Sequence, residues 1–255
     1  MTPGYRIAWF CLLAWISSAA VASAGDDSFS FKVAPERVQI GTFYHGSELE
    51  ITAQIPQYDA AVIILKGTED KVILNRKGKV ASIWLNVGKL TVYDAPHVYI
   101  LAASCRLANI ASAETLDRLG IGRESLRKQI KFTSDKPLSG NEFDEFLDLK
   151  SSNGVYDTTG QIDLLASSDG GQNLSAQLSI PPATPPGNYK ILFYLFNQGE
   201  LVRQDTAQIS LERTGLVRML TDLSSQSAAA YGLLAILVAL VAGIMVGVIF
   251  SSLSR

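Results

Sequence analysis

The C-terminal stretch from Leu223 to Leu253 contains no charged side chain, and this feature limits the possible folds more than any other. Its most apolar part, residues 228–250, is long enough to cross a hydrocarbon core of ~30 Å at about 1.5 Å per helical residue. A helix buried in a globular domain rarely runs this far without a charge. The sequence therefore predicts one transmembrane helix over residues 228–250, between a juxtamembrane segment (215–227) and a cytoplasmic tail (251–255).

The N-terminus has the pattern of a cleavable export signal. Arg6 precedes an apolar run, Ile7–Ile16, and the small residues Ala22-Ser23-Ala24 follow, as at a signal-peptidase site. We interpret residues 1–24 as a signal peptide; the alternative is an uncleaved anchor, although the apolar run is short for a membrane span. We therefore expect a single-pass protein of the cytoplasmic (inner) membrane whose domain faces the periplasm.

One face of the predicted membrane helix carries small residues. Ala235, Ala239, Gly243 and Gly247 recur at a spacing of four, which places them in one stripe along a helix. Small side chains let a second helix approach closely. We interpret the four as helix-packing residues, through which the chain associates with an integral membrane protein or with a second copy of itself. The alternative is that alanine and glycine are simply common in membrane helices.

The segment between the two ends has mainly the pattern of β-strands. Apolar and polar residues alternate around Leu49, Ile51 and Ala53, and Ala60–Leu65 is a continuous apolar run typical of a strand buried on both faces. Many short strands at near-regular spacing favour an immunoglobulin-like β-sandwich, one or two. The predicted segments are sandwich strands in 25–109, a helical insertion in 110–150 and further sandwich strands in 151–214.

Within the insertion, helical spacing extends from Ser112 to Lys131. Ser112 is a candidate N-cap, and Gly120 and Gly122 are expected to divide the region into two short helices. Residues Asn141–Leu149 predict another helix, with aromatic and aliphatic side chains on one side.

Composition and motifs exclude several classes of function. The net charge is −2 and no stripe is rich in lysine or arginine, so a nucleic-acid-binding surface is not indicated. The chain has no phosphate-binding loop, dinucleotide fingerprint or Gly-x-Ser-x-Gly motif, the usual short signatures of nucleotide and hydrolase sites. We therefore predict that the chain is not an enzyme and holds no cofactor.

Histidine and cysteine offer few ligands for a metal. His45 and His97 are the only histidines, and neither has a near neighbour at a chelating spacing. Cys11 lies inside the predicted signal, so Cys105 would be alone after cleavage and no internal disulfide could form. We expect Cys105 to be a small buried residue, with a reactive thiol as the alternative.

Two further groups have a plain structural interpretation. Trp84 is the one tryptophan outside the predicted signal, and we expect it in the core. An acidic cluster falls on the predicted helix in the insertion, where we expect a solvated face, with calcium or a basic partner as the alternative. The acidic cluster consists of Glu142, Asp144, Glu145 and Asp148.

Basic residues gather around a predicted hairpin turn at Arg76-Lys77-Gly78. Lys71 and Lys79 flank this turn. A solvated turn is one interpretation of the cluster, and a contact with an anion or a lipid headgroup is the other.

Several short motifs, in order along the chain, give it a resemblance to a family of transmembrane proteins first grouped from alphaproteobacteria. The motifs are Val33-Ala-Pro35, Val38-Gln-Ile40, Ile83-Trp84-Leu85-Asn86, Pro186-Gly187-Asn188-Tyr189 and Tyr231-Gly232-Leu233. The family is defined by its topology and carries no catalytic residues over to this chain. Its genes often neighbour that of a sulfite-exporter-like membrane transporter, so the resemblance implies such a transporter as a partner.

Together these observations predict a non-catalytic periplasmic accessory or protein-interaction domain, anchored in the cytoplasmic membrane as the partner of a membrane transporter. The alternative is a periplasmic sensor that binds a small anion such as an oxidised sulfur compound, which the basic hairpin and the implied transporter favour.

Overall fold

The computed structural model describes residues 31–253, so the predicted signal over 1–24 lies outside the described residues. Twelve strands and six helices are described within this range. The strands are β1 (Phe31–Ala34), β2 (Arg37–Ile40), β3 (Ser47–Ile55), β4 (Ala60–Lys66), β5 (Glu69–Val80), β6 (Ile83–Pro96), β7 (Tyr99–Ala103), β8 (Lys131–Ser134), β9 (Tyr156–Ala166), β10 (Gln172–Ile180), β11 (Gly187–Asn197) and β12 (Glu200–Arg213). The helices are α1 (Leu107–Ile110), α2 (Ala113–Arg118), α3 (Arg123–Gln129), α4 (Glu142–Ser152), α5 (Gly215–Gln226) and α6 (Ala228–Leu253).

Nine strands pair into one sheet in the order β1-β3-β10-β9-β7-β4-β11-β12-β2. In this order, pairs of strands that precede the helical insertion alternate with pairs that follow it. Strand β3 thus pairs with β10, and β4 pairs with β11. A parallel pairing of β7 with β9 joins the antiparallel group β1-β3-β10-β9 to the antiparallel group β7-β4-β11-β12. Strand β2 pairs in parallel with β12 at the far edge. The two β regions of the sequence therefore both contribute strands to this one sheet.

The two edge strands of this sheet are neighbours in sequence. Only Pro35 and Glu36 separate β1, at one edge, from β2, at the other. Since each residue spans at most about 3.6 Å, the edges must lie close together, and the sheet curls into a nearly closed barrel. The mainly β class is confirmed, whereas the immunoglobulin-like sandwich is not, because the strands pair continuously from one edge almost to the other.

Burial along the strands follows from which faces are covered. In β3 buried residues such as Leu49 and Ile51 alternate with exposed ones such as Glu48 and Glu50, as expected for a strand with one solvated face. In β4 the residues Ala60–Leu65 are all buried, as the continuous apolar run predicts. The helical insertion contacts this side of the barrel, since Lys66 of β4 donates a hydrogen bond to Gln129 and Tyr194 of β11 donates one to the Leu119 carbonyl oxygen.

Aromatic side chains link the layers of the core. The rings of Phe31 and Phe193 stack with their centroids 5.2 Å apart, which connects β1 with β11 inside the barrel. Phe146 of α4 meets Tyr156 of β9 edge to face at 6.0 Å, a favourable arrangement of aromatic quadrupoles. Barrel and insertion therefore share one hydrophobic core.

The insertion contains the expected helices and one unexpected strand. Gly120 and Gly122, with φ of 74° and 93°, separate α2 from α3, and both adopt the left-handed region that favours glycine. The Oγ atom of Ser112 accepts a hydrogen bond from the Thr115 amide at 3.2 Å, which confirms the predicted N-cap. Residues 131–134, by contrast, form β8, which pairs with β6.

Strands β5 and β6 form a long hairpin that builds a second, three-stranded sheet with β8. Its turn lies at Ala81 and Ser82, which both have positive φ, as in the turns that close two-residue hairpins. The predicted turn at Arg76-Lys77-Gly78 is therefore wrong, because these residues continue in β5 beside a β-bulge. We call the outer part of this hairpin, residues 77–87, the arm.

Helices α5 and α6 follow the barrel. Residues Ala228–Phe250 of α6 have a mean hydropathy of 3.0 and none of this span is buried, so its length and composition suit a membrane crossing. Length and composition therefore confirm the predicted C-terminal membrane helix. It is the one helix with these properties among the described residues.

Candidate functional site on the arm and the membrane helix

The arm has two chemically different faces. Directly paired residues of an antiparallel hairpin lie on the same face, and successive pairs alternate between faces. The pairs Lys79–Trp84 and Lys77–Asn86 therefore share one face. Ile83 and Leu85 lie on the other face. One face is basic with a tryptophan, and the other is apolar.

A close contact explains a glycine on the apolar face. A Cβ at Gly78 would lie 2.7 Å from a methyl carbon of Val87. The Val87 side chain therefore fills the space beside Gly78, which pairs with Leu85. The apolar face thus continues from the turn towards the base of the hairpin. A larger residue at position 78 would displace Val87 or distort the hairpin.

The end of the arm exposes three large hydrophobic side chains in succession. Ile83, Trp84 and Leu85 are 62%, 68% and 49% exposed. The prediction that Trp84 lies in the core is therefore wrong. Because the turn lies at Ala81-Ser82, Trp84 falls near the tip of the hairpin, away from the barrel.

The arm and its base are uniformly basic. Residues 71–93 contain five basic side chains and no acidic one. Lys71 lies over the ring of Tyr93 at 5.4 Å, and Arg76 lies 3.7 Å from the Glu142 carboxylate. Lys77 and Lys79 are exposed. The predicted basic cluster is therefore divided. Lys71 and Arg76 contact other side chains at the base of the hairpin, whereas Lys77 and Lys79 on the arm are exposed to solvent or a ligand.

Strand register shows from which end of the barrel the hairpin emerges. Four paired residues form one row across neighbouring strands. They are Tyr99 of β7, Lys66 of β4, Lys190 of β11 and Gln208 of β12. Because β4 ends at this row and β7 begins there, the hairpin between them leaves the barrel at this end.

The same end leads to the membrane. Beyond Gln208, β12 continues to Arg213 and is followed by α5 and then α6. The hairpin begins at Glu69, after a two-residue link from the end of β4 at Lys66. The hairpin and the membrane helix therefore leave the barrel from a common end.

A buried carboxylate supports the base of the hairpin. Glu142, at the first turn of α4, is only 4% exposed, so the expectation of a solvated face is wrong for this residue. Its Oε1 accepts hydrogen bonds from the Ser139 amide at 2.5 Å and hydroxyl at 2.9 Å, and its Oε2 accepts from the Gly140 amide at 2.8 Å. These bonds, led by the Ser139 amide, lower the pKa of Glu142 to about 2.

The other acidic residues of α4 differ among themselves. Glu145 and Asp148 are exposed, as expected. Asp144 is partly buried and accepts from Arg123 at 2.6 Å and from Arg127 at 2.8 Å. The hydrogen bond from Arg123 is the main reason why the pKa of Asp144 is lowered. The ion pairs of Asp144 with Arg123 and Arg127 therefore connect α4 with α3.

Two open cavities flank α4. One, of about 390 Å³, lies between the hairpin and α4 and includes Asn75, Arg76 and Lys77 among its lining residues. The other, of about 340 Å³, includes Tyr99 and Tyr156. Burial raises the pKa of both tyrosines. Sequence reasoning missed these tyrosines, although each begins a strand next to the insertion.

The histidines and the cysteine lie apart from one another. His97 Nε2 is 2.8 Å from Asp70 Oδ2 at the base of the hairpin, while His45 is exposed in the loop before β3. Cys105 is exposed, so the expectation of burial is wrong, because β7 ends before it. No group of three or more histidine, cysteine or acidic residues suited to a metal ion occurs within residues 31–253.

The predicted helix-packing residues all fall on α6. Ala235, Ala239, Gly243 and Gly247 are exposed along this helix. A Cβ at Gly243 or Gly247 would meet no atom within 4 Å. None of the four has a side chain larger than a methyl group, so the stripe would let another helix approach closely.

Comparison with known proteins identifies the family. Neither the search of curated proteins nor that of solved structures found a match. A family model described as "Putative transmembrane protein (Alph_Pro_TM)" matches residues 28–252, which span the barrel, the insertion, the arm and the membrane helix. The chain therefore belongs to this transmembrane protein family.

Proposed function

We propose that the chain is a non-catalytic accessory protein of the cytoplasmic membrane, whose barrel faces the periplasm and whose membrane helix binds another membrane segment. The observation that carries this proposal is the open stripe of α6, where Gly243 and Gly247 leave room for a neighbouring backbone. Small residues at such a spacing let helices pack closely in lipid. The partner is an integral membrane protein, with a sulfite-exporter-like transporter as the first candidate, or a second copy of the chain.

The test is purification of the full chain from its native membranes in mild detergent, after cross-linking, followed by mass spectrometry. The double variant Gly243→Leu/Gly247→Leu fills the stripe and should lose the cross-linked partner. The matched control, Val241→Leu/Met245→Leu, changes side chains at the same spacing on the opposite face and should retain it. A wild-type chain that is strictly monomeric and isolated after cross-linking would contradict the proposal.

A second candidate function is a sensor for a small anion such as an oxidised sulfur compound. The cavity beside Arg76 and Lys77 supports it, although Glu142 and Glu145 line the same space and reduce its positive potential. A thermal-shift series with sulfite, sulfate, thiosulfate and taurine tests this function. Stabilisation by one anion that is absent in Arg76→Gln would support it, and no shift with any of them would count against it.

A further inference from the structure

We propose that the tip of the arm binds the surface of a bilayer containing anionic phospholipid. In this arrangement Ile83, Trp84 and Leu85 enter the headgroup region, and Lys77 and Lys79 meet lipid phosphates. This binding site is separate from the helix-packing stripe of α6, and it requires no protein partner.

The exposed side chains at the tip match the chemistry of a membrane interface. Ile83, Trp84 and Leu85 are each about half or more exposed, at the end of a hairpin whose inner residues Leu90 and Val92 are buried. Tryptophan is enriched at the level of the headgroups, where its ring is partly apolar and its N–H remains hydrated. Apolar side chains at a projecting tip gain by leaving water for the boundary of the acyl chains.

Charge complementarity selects an anionic surface. Five basic and no acidic side chains lie in residues 71–93, in a chain whose net charge is −2. Lys77 and Lys79 share the face of Trp84, so a tip placed at headgroup depth brings both ammonium groups to the phosphates. Clustered lysines are drawn to anionic lipid within about a Debye length of the surface.

The hairpin is long enough to reach the bilayer that holds α6. From Glu69 to Val80 it has 12 residues, which corresponds to about 40 Å of extended strand. The connection from barrel to membrane, α5, has 12 helical residues, or about 18 Å. Both leave the barrel from the end marked by Lys66 and Gln208.

The hairpin also presents its tip in a fixed form. Pairing continues to the last residues before the turn, Val80 with Ile83, and the base is held by pairing of β6 with β8. A surface group that is ordered before binding loses little conformational entropy on binding. The arm is therefore suited to orient the barrel relative to the membrane.

The experiment uses the full chain, one copy per nanodisc, with Trp9→Phe and Trp15→Phe so that Trp84 is the only tryptophan. Fluorescence is measured in discs of phosphatidylcholine alone and in discs that also contain phosphatidylglycerol, each with brominated acyl chains as quenchers. We expect Trp84 to be quenched in the anionic discs. Quenching should fall at ~1 M NaCl, where the Debye length is about 3 Å.

Matched variants separate the charged from the apolar contribution. Lys77→Gln/Lys79→Gln should weaken the membrane-bound state of the arm on the order of thirtyfold, from the loss of two lysine–lipid attractions. Lys32→Gln/Arg106→Gln removes two exposed charges elsewhere and should leave quenching unchanged. Ile83→Ser/Leu85→Ser removes the apolar contribution and should abolish quenching. The unfolding midpoint and the circular dichroism spectrum of this variant should remain those of the parent.

Three results would overturn the proposal. One is a Trp84 that is unquenched by brominated lipid and fully accessible to acrylamide in anionic discs. Protection from acrylamide without quenching by lipid would instead indicate that protein covers the arm. Equal quenching in both lipid compositions, unaffected by Lys77→Gln/Lys79→Gln, would remove the role assigned to the lysines.

Discussion

The hydroxyl oxygen of Tyr99 lies 2.7 Å from the backbone nitrogen of Gly122 and accepts its hydrogen bond. Tyr99 begins β7 in the barrel, and Gly122 precedes α3 in the insertion. Both residues are buried, so no water replaces this bond if it is lost. The same hydroxyl donates to the Gly120 carbonyl oxygen at 3.4 Å, so Tyr99 connects the two layers at a point where the insertion has no strand pairing with the barrel.

Tyr99→Phe should destabilise the protein by about 1–3 kcal/mol, because the buried amide of Gly122 loses its acceptor. The measurement is denaturant unfolding of the detergent-solubilised chain, followed by circular dichroism. Tyr93→Phe, which removes a hydroxyl from a more exposed ring, is the control and should change the free energy of unfolding little. Equal stability of Tyr99→Phe and the wild type would contradict this role for the bond.

Glu142 should make stability depend on acid pH. Its pKa in the folded protein is lowered to about 2 from 4.5, so the carboxylate stabilises the folded state fully above the unfolded value. This contribution is lost as the pH falls from about 4.5 towards 2, because the unfolded chain protonates this carboxylate at a higher pH than the folded chain does. Unfolding free energies measured across this range should fall less steeply for Glu142→Gln than for the wild type.

The exposed residue Glu145 lies on the same helix and provides the matched control. Glu145→Gln should retain the steep acid dependence of the wild type. If Glu142→Gln and the wild type lose stability in parallel as the pH falls, the hydrogen bonds from Ser139 and Gly140 are not the source of the effect.

Gly160 should tolerate no side chain at the seam between the two halves of the barrel. A Cβ there would lie 2.9 Å from the Ala102 Cβ atom and 3.0 Å from the Leu101 carbonyl oxygen, so β7 and β9 would have to separate. Gly160→Ala should therefore destabilise the chain by about 1–3 kcal/mol, the usual cost of overpacking. Gly41→Ala is the control, since its Cβ would come no closer than 3.9 Å to Thr214 Oγ1. Similar unfolding midpoints for the two variants would argue against a close contact at the seam.

Cys105 offers a direct measurement of which side of the membrane the barrel faces. Its exposed thiol should react with a membrane-impermeant maleimide in spheroplasts of a Cys11→Ser strain. Ser254→Cys in a Cys11→Ser/Cys105→Ser chain should react only in inverted membrane vesicles. The reverse labelling pattern would show that the barrel faces the cytoplasm and would contradict the predicted orientation.

Local signals in the sequence predicted local structure well. The continuous apolar run Ala60–Leu65 became a strand buried on both faces, and Gly120 and Gly122 separated two short helices. The uncharged C-terminal stretch became α6. Each of these features depends on side chains that are neighbours in sequence, so periodicity and turn residues were sufficient.

The closure of the barrel had no local signal. It depends on the parallel pairing of β2 with β12, whose residues lie near opposite ends of the domain, and strand patterns do not specify a partner so distant. The turn of the hairpin was misplaced for a related reason. Lys77-Gly78 has the residue types typical of a turn, whereas the actual turn at Ala81-Ser82 is imposed by the register of two long strands.

The candidate site was predicted in part. Spacing and charge alone indicated the basic cluster and the small-residue stripe. Trp84 was expected in the core, as a large aromatic side chain, but it is exposed because the turn at Ala81-Ser82 places it near the tip of the hairpin. The burial of Glu142 was missed because it depends on amide donors from Ser139 and Gly140, which become available only when the preceding loop folds back on the helix.

The pairing of β2 with β12 also sets an order of events during biosynthesis. Among the described residues β2 pairs with β12 alone, and β12 ends just before α5 and the membrane helix. An emerging chain can therefore pair β1 with β3 and β4 with β7 early, yet the edge formed by β2 stays open until β12 has been made. Because only α5 separates β12 from α6, the last strand of the barrel is made shortly before the membrane helix.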